Sequence, residues 1–202
     1  VEQCGVRTVG GYGIVATSGT IRGCVAVNCG IDGIKGGNVA DSRGEAVDGR
    51  GIDADTVVNC YGSSSSGEGI VAQTALNSYG FSSGGAGLYA FGSALNCRGY
   101  SNSGNGITAT TAQNCTGSSS SGTGLDADTA LNCRGSSSSG TGLYAGRTAI
   151  GCYGYSGSGP RGLFAVSAAF CVGQRHTGRA IEATITNGCW AAAGTNLITH
   201  KY

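Results

Sequence analysis

Charged residues and prolines are scarce in this sequence of 202 residues: Lys, Arg, Asp and Glu make up 11%, one Pro occurs, and Met is absent. The formal net charge is +1, without a basic run. Nucleic-acid binding needs a concentrated positive surface, so the composition argues against it. No apolar stretch approaches the roughly 18 residues of a membrane-spanning helix. The chain starts at Val1 without Met, as it would after removal of a leader peptide, and we expect a secreted protein.

Glycine is abundant instead, with 40 residues. This is near three times the ordinary usage of about 7%. The glycines follow no Gly-X-Y triplet, which excludes a collagen helix. Hydrophobic residues make up 40% of the chain, but much of that share is Ala and Cys. The sequence therefore predicts a thin core of small side chains.

Internal repeats determine the predicted fold. Residues 50–68 read RGIDADTVVNCYGSSSSGE, and residues 123–141 read TGLDADTALNCRGSSSSGT. The consensus is G-[IL]-x-A-x-x-A-x-N-C-x-G followed by a Ser/Gly tract. Its period of 18–19 residues is too short for two packed helices, and it alternates without a 3.6-residue stripe. We predict an all-β, single-domain parallel β-helix, or β-solenoid, of about 10–11 rungs stacked roughly 4.8 Å apart.

One repeat position, the cysteine row, sets the predicted register. It advances from Cys29 to Ser42 and then in steps of 18 or 19 residues, and we interpret the short first step as a rung that lost its Ser/Gly tract. Within one domain we predict irregular rungs over 1–28, regular rungs over 29–189 and a partial rung over 190–202. The row is predicted to lie in the core at Cys29, Cys60, Cys97, Cys115, Cys133, Cys152, Cys171 and Cys189.

The cysteines leave two chemical states open. Adjacent rungs place neighbouring Cα atoms within the disulfide range of about 4.4–6.8 Å, and an oxidising compartment would allow such bonds. Cys60 would lack a partner, however, because Ser42 and Ser78 flank it in the row. A free Cys packs as a small hydrophobe, so we favour a reduced row and keep disulfides as the alternative. No CxxC spacing or nearby His indicates a metal site, and no cofactor is expected.

Two further repeat positions predict turns. Gly recurs two residues after the row, as at Gly62 and Gly99, which suggests a turn or bulge with positive φ. Asn precedes the row, as at Asn28 and Asn59, where stacked side chains can bond to one another. The position twelve residues after the Ile/Leu, such as Ser64, is polar. This breaks the hexapeptide pattern of left-handed β-helices and favours a right-handed coil.

The NC-x-G-S-x-S-G-x-G-L-x-A repeat resembles that of repetitive right-handed parallel β-helix proteins of bacterial cell surfaces. The resemblance covers about residues 20–190 and implies a β-helix at a cell surface or outside the cell. It implies no single function, because proteins with this architecture include polysaccharide-cleaving enzymes, adhesins, tail spikes and passive stalks.

Aromatic and arginine side chains form predicted outward stripes along the coil. They lie one and three residues after the cysteine row and one residue after the Ile/Leu. Either they stack between rungs and stabilise the coil, or they form a contact surface for sugars or other subunits. The possible interface comprises Tyr61, Tyr79, Phe81, Tyr89, Arg98, Tyr100, Tyr144, Tyr153, Tyr155, Trp190 and Tyr202.

Two carboxylate pairs resemble catalytic spacings. Asp53 with Asp55, and Asp126 with Asp128, lie roughly 7 Å apart along a strand, in the range of inverting glycosidases. The pairs lie four rungs apart and cannot form one site. We interpret them as solvated strand faces, with weak Ca²⁺ binding as an alternative, and predict no catalytic residue.

The predicted function is a non-enzymatic extracellular structural scaffold that self-assembles head to tail into a filament or surface layer. Neither end shows an amphipathic cap helix, and a head-to-tail interface does not close on itself. Uniform rungs offer few long loops from which to build an active-site cleft. The partner is therefore predicted to be other copies of the chain. The alternatives are a carbohydrate-binding or polysaccharide-cleaving β-helix and an ice-binding solenoid that uses its Ser tracts.

Overall fold

The computed structural model describes the backbone of residues 1–201 and the side chains of residues 1–196. Twenty strands form one parallel sheet that winds through about eleven turns, and no helix occurs over residues 1–201. Each strand pairs with the equivalent strand of the next turn, as β6 does with β4 and β8. The predicted all-β parallel β-solenoid is confirmed, while the right-handed sense of its coil stays a prediction.

Each regular turn has one long and one short strand. The long strands are β2 (Ile14–Arg22), β4 (Ile34–Ala40), β6 (Ile52–Val58), β8 (Ile70–Leu76), β10 (Leu88–Leu95), β12 (Ile107–Gln113), β14 (Leu125–Leu131), β16 (Leu143–Ile150) and β18 (Arg161–Ala169). The short strands are β1 (Gly5–Val9), β3 (Val25–Cys29), β5 (Arg43–Ala46), β7 (Tyr61–Ser64), β9 (Tyr79–Ser82), β11 (Arg98–Ser101), β13 (Thr116–Ser119), β15 (Arg134–Ser137) and β17 (Tyr153–Ser156). Both parts of a turn merge in β19 (Val172–Asn187) and β20 (Trp190–Lys201).

The core consists of rows of small and branched apolar side chains that run along the coil axis. The first inward residue of each long strand is Ile or Leu, and the second is usually Ala, as at Ile107 and Ala109. The third inward position holds Ile21 near the start and Ala in the later rungs. Gly36 makes room for this Ile, because a Cβ added at Gly36 would lie 2.9 Å from Ile21 Cδ1.

The strand pairing corrects the predicted register of the first rungs. Val25 pairs with Arg43, which places Cys24, not Cys29, in the cysteine row beside Ser42. The Cys24 N–H donates to Ser42 Oγ at 3.1 Å. Cys29 instead pairs with Ala46, in the row that later holds the buried Ser side chains. The predicted Ser/Gly deletion is therefore wrong.

Cys4 begins the first rung of the same row, since its N–H donates to Cys24 Sγ at 3.3 Å. One extra residue in each of the first two short strands forms a bulge, and Thr8 and Asn28 have positive φ there. Asn28 therefore lies in a bulge and not in the Asn row. The Asn28-Cys29 pair resembles the consensus but does not belong to the same row.

The positive backbone φ predicted at the recurrent Gly occurs elsewhere. Gly99 and its equivalents do not have positive φ. They are required by close packing, because a Cβ on Gly99 would lie 2.0 Å from the Gly106 carbonyl oxygen. Positive φ belongs to the residue immediately before the cysteine row in every turn: Gln3, Gly23, Asp41, Asn59, Asn77, Asn96, Asn114, Asn132, Gly151, Phe170 and Gly188.

The Ser four residues after the cysteine row lies in the core and connects two turns. Ser137 Oγ donates to the Gly122 carbonyl of the preceding turn at 2.7 Å and accepts from the Gly140 N–H at 2.8 Å. The side chain is 2% exposed. The same two contacts recur at Ser64, Ser101, Ser119 and Ser156. The Ser tracts therefore include a structural row as well as surface turns.

Candidate functional site

The short strands present one continuous outer surface, which we call the short-strand face. The residues two and four places after the cysteine row point inward, whereas those one and three places after it point outward. The Arg/Tyr row, one place after, holds Val25, Arg43, Tyr61, Tyr79, Arg98, Thr116, Arg134, Tyr153, Val172 and Trp190. The Ser/aromatic row, three places after, holds Glu45, Ser63, Phe81, Tyr100, Ser118, Ser136, Tyr155 and Gln174.

Side chains of the Arg/Tyr row stack on one another between turns. The Arg43 guanidinium lies 5.0 Å from the centroid of the Tyr61 ring, and the Tyr61 and Tyr79 rings stack at 5.5 Å. Arg134 lies 4.8 Å above the Tyr153 ring. Aromatic and cation–π contacts of this kind stabilise neighbouring rungs by about 0.5–1.5 kcal/mol each.

The Ser/aromatic row contains a gap between two aromatic side chains. Phe81 and Tyr100 stack at 5.6 Å with 7° between their planes. The next two turns carry only Ser118 and Ser136, whose hydroxyls are 2.8 Å apart, and Tyr155 follows. These Ser side chains form the floor of a shallow depression between Tyr100 and Tyr155. We call it the serine gap.

Tyr100 is held at the edge of the serine gap by its hydroxyl. The Oη atom lies 3.0 Å from Asn102 Oδ1 and 3.3 Å from Ser120 Oγ. The ring is therefore fixed by stacking on one side and by hydrogen bonds at its tip, and its second face borders the gap.

The Asn row borders the other side of the short-strand face. Asn96 Nδ2 donates to Asn77 Oδ1 at 3.1 Å, and Asn114 Nδ2 donates to Asn96 Oδ1 at 3.3 Å. The chain of bonds continues through Asn59 to Asp41. The predicted mutual bonding of stacked Asn side chains is confirmed from Asn59 to Asn114. The amides of Asn59, Asn77 and Asn96 line a second shallow depression together with Tyr61, Tyr79 and Arg98.

Beneath the face, the cysteines are free thiols. Backbone N–H groups donate along the row, from Cys97 to Cys115 Sγ at 3.4 Å and onward to Cys189. Burial raises the pKa of the Cys60 thiol. The hydrogen bond with Cys133 lowers the pKa of Cys115, but its contact with Cys97 and burial outweigh this and raise it to about 11. The contact with Cys115 and burial raise the pKa of Cys133 to about 11.

The structure separates the predicted interface residues into two groups. Tyr61, Tyr79, Phe81, Arg98, Tyr100, Tyr153, Tyr155 and Trp190 lie together on the short-strand face. Tyr89 and Tyr144 lie on the long strands, where Tyr144 stacks on Phe164 at 4.8 Å. Tyr202 lies outside the described residues. The serine gap was not predicted as a site, although Ser118 and Ser136 stand at an aromatic position of the repeat.

A second regular hydroxyl row lies on the long strands and was not predicted. Half-buried Thr side chains repeat in register at Thr56, Thr74, Thr111, Thr129 and Thr148, with Ser93 between them. Two residues further, each strand shows an outward aliphatic or Gln side chain.

One carboxylate of each pair considered for catalysis has a structural partner, whereas Asp55 and Asp128 are exposed. Asp53 bonds Lys35 on the preceding turn at 2.9 Å and Arg50 at 3.0 Å. Asp126 accepts a hydrogen bond from Asn105, and burial, followed by nearby Asp128, raises its pKa against the effect of that bond. These contacts correspond to surface ion pairs and amide contacts within the coil.

No protein-family model matches the chain, and no curated protein or solved structure shows significant similarity to it. Over the described part of the chain, no group of three His, Cys, Asp or Glu side chains is placed to hold a metal ion. No helix suited to crossing a membrane is found in residues 1–201.

Proposed function

We propose that this chain is a non-enzymatic, extracellular structural scaffold. The observation that supports this most directly is that polar side chains at regular positions bond from one turn to the next. The Asn row and the buried Ser row both do so, as does the ion pair between Lys35 and Asp53. Such contacts stiffen a rod and leave few polar groups arranged for chemistry.

The proposal includes head-to-tail self-association into a filament. Every turn offers the next one the same parallel hydrogen-bond pattern, so the outermost turns of two copies would match. Apolar side chains at both outer turns are incompletely covered, since Cys4 and Val6 in the first and Cys189 in the last are only partly buried. Because the interface is heterologous, it would propagate and not close.

Negative-stain electron microscopy of the purified chain at neutral pH tests this proposal. We expect filaments with an axial repeat of roughly 50 Å, the length of about eleven rungs at the usual strand spacing. Ala191→Asp places a charge at a partly buried position of the last turn and should abolish them, whereas Ala193→Asp changes an exposed residue of the same strand and should not. Isolated rods for the unaltered chain would overturn the filament proposal.

A further inference from the structure

The sizes of the side chains in the Ser/aromatic row are arranged antisymmetrically about one point. From Ser63 the row continues with the large rings of Phe81 and Tyr100. It then changes to two small side chains and ends in another large one, at Ser118, Ser136 and Tyr155. Reversing the direction of the row exchanges large and small at each of these six positions. The centre of this pattern lies between Tyr100 and Ser118.

We propose that the short-strand face binds the same face of a second copy around a twofold axis. The axis runs parallel to the strands and passes between the turns that carry Tyr100 and Ser118. The coils are then antiparallel, and each row opposes its own copy. Tyr100 faces the second copy's Ser118, Phe81 faces its Ser136, and Ser63 faces its Tyr155. Every large side chain of this central segment meets a small one, as close packing requires.

The rings of the two copies interleave into one stack under this symmetry. Tyr100 projects into the second copy's serine gap, and the reciprocal ring enters the first copy's gap. The two Tyr100 rings become neighbours one strand spacing apart, about 4.8 Å. Phe81 and the second copy's Tyr155 extend the stack on each side, which gives six consecutive rings. The Phe81–Tyr100 pair already shows the required parallel geometry within one chain, and aromatic pairs favour offset stacks at such separations.

The Arg/Tyr row is compatible with the same axis. Tyr79 faces the second copy's Arg134, a cation–π pairing, and Tyr61 faces its Tyr153. Further along, Trp190 at 64% exposure meets the second copy's Val25, which is 37% exposed. An apolar side chain therefore covers the most exposed aromatic ring of the face. No Arg of this row directly opposes another Arg.

One electrostatic cost accompanies the pairing. Arg98 faces the second copy's Thr116, but it lies diagonally, one strand spacing away, from both the second copy's Arg98 and the second copy's Arg134. Their repulsion is screened as ionic strength rises, because the Debye length falls from roughly 30 Å at 0.01 M to about 8 Å at 0.15 M salt. Dimerisation should therefore strengthen with salt over this range, opposite to an interface formed by ion pairs.

The extent of the face suits a modest dimer. The axis lies between the sixth and seventh of the eleven turns, so the two copies overlap along nearly the whole described coil. About ten turns at the usual strand spacing and a short strand about 13 Å long give roughly 600 Å² per copy. This is slightly below the roughly 800 Å² per partner of standard interfaces. Lateral pairing uses a different surface from the filament proposal and does not depend on it.

Sedimentation velocity over a concentration series tests the inference, in the Ala191→Asp background to keep filament formation separate. We expect a reversible dimer for this background. Ser118→Tyr fills the serine gap from within its own chain and should weaken dimerisation at least tenfold. The exchange variant Tyr100→Ser/Ser118→Tyr again places large opposite small at these positions and should recover much of the affinity. Thr108→Tyr adds a ring on the long strands, beside Tyr89 in its row, and should leave it unchanged.

Two further measurements complete the test. Raising salt from 0.01 to 0.15 M should tighten the dimer, and Arg98→Gln should remove most of that dependence. A chain that stays monomeric at 100 µM, or a Ser118→Tyr variant that dimerises normally, would overturn the inference. A monomer that instead binds oligosaccharides on a glycan array, and loses this binding in Ser118→Tyr, would assign the serine gap to sugar and also overturn it.

Discussion

Two substitutions of Asn96 separate the two roles of the Asn row, which are to adopt a positive φ and to form side-chain hydrogen bonds between turns. The residue has a φ of +53°, a conformation that Gly adopts freely and that Asn tolerates through local polar contacts, but that is strained for other residues with a Cβ. Its side chain also bonds Asn77 and Asn114 in the turns before and after it. Asn96→Gly removes only the hydrogen bonds, whereas Asn96→Ala removes them and retains the backbone strain without the local polar contacts that favour Asn.

The expected magnitudes follow from these contacts. A hydrogen bond contributes about 0.5–1.5 kcal/mol net, and bonds between exposed amides belong at the low end, so losing two costs roughly 1 kcal/mol. The left-handed conformation adds roughly 1–2 kcal/mol for Ala. Asn96→Ala should therefore lower the unfolding free energy by about 2–3 kcal/mol and Asn96→Gly by about 1 kcal/mol. The natural Gly at positions 23, 151 and 188 of the same row is consistent with this order.

Thermal and urea unfolding, followed by circular dichroism, measure the difference. For a chain of this size, 1 kcal/mol shifts the melting temperature by about 2–4 °C, so the Ala variant should melt several degrees below the Gly variant. Gln113→Ala, an exposed change outside the row, is the control. If Ala at position 96 proves as stable as Gly, backbone strain does not contribute at this turn and the reasoning is wrong.

Two other predictions concern buried groups. Ser137→Ala leaves two partly buried backbone groups without a partner and should cost roughly 1–3 kcal/mol in urea unfolding, whereas Ser138→Ala, an exposed neighbour, should change stability by less than about 0.5 kcal/mol. Unfolding free energy should fall between pH 9 and pH 11, because the folded state holds the Cys115 and Cys133 protons up to a pKa of about 11 and the ordinary value is 9.0. The double variant Cys115→Ser/Cys133→Ser should reduce this dependence, with the rest coming from the other thiols whose pKa is raised, such as Cys60 and Cys152; an unchanged pH profile would exclude Cys115 and Cys133 as a source.

The period of the repeat was sufficient to predict the fold but not the register of its first turns. Asn28 and Cys29 match the Asn-Cys pair of the consensus, so the sequence favours Cys29 as a row position. The strand pairing instead places Cys24 beside Ser42, and a bulge at Asn28 accounts for the extra residue. Backbone pairing depends on the whole strand, while this motif match depends on two residues.

The position of the positive φ could have been predicted from the residue types that precede the cysteine row, although the more regular Gly pattern pointed elsewhere. The residue before the cysteine row varies among Asn, Asp and Gly in most turns, which are the residues that tolerate a left-handed backbone. The position of Gly99, by contrast, takes no Asn or Asp in any turn, which indicates a lack of space and not a special φ. Recurrent Gly has two physical causes, and the substitutes accepted at the same position distinguish them.

The candidate interface required the structure because it depends on registration across turns. Spacing in the sequence predicts that Phe81 and Tyr100 lie in one stripe, and the stacked rings agree with this. The spacing gives no reason to select the two Ser that follow as part of a site, because small residues by themselves do not indicate an interface. Once the pairing places Ser118 and Ser136 between Tyr100 and Tyr155, the row becomes a linear pattern of large and small side chains.

Two coils whose rungs all carried identical outer residues could pair in many alignments, each shifted by one turn, with similar energy. The single inversion of size between Tyr100 and Ser118 favours one alignment over the others, since a shift by one turn would oppose Tyr100 to its own copy in one direction, or Phe81 to the second copy's Tyr155 in the other. A repetitive scaffold can thus specify one partner and one register through the few turns where its outer residues differ.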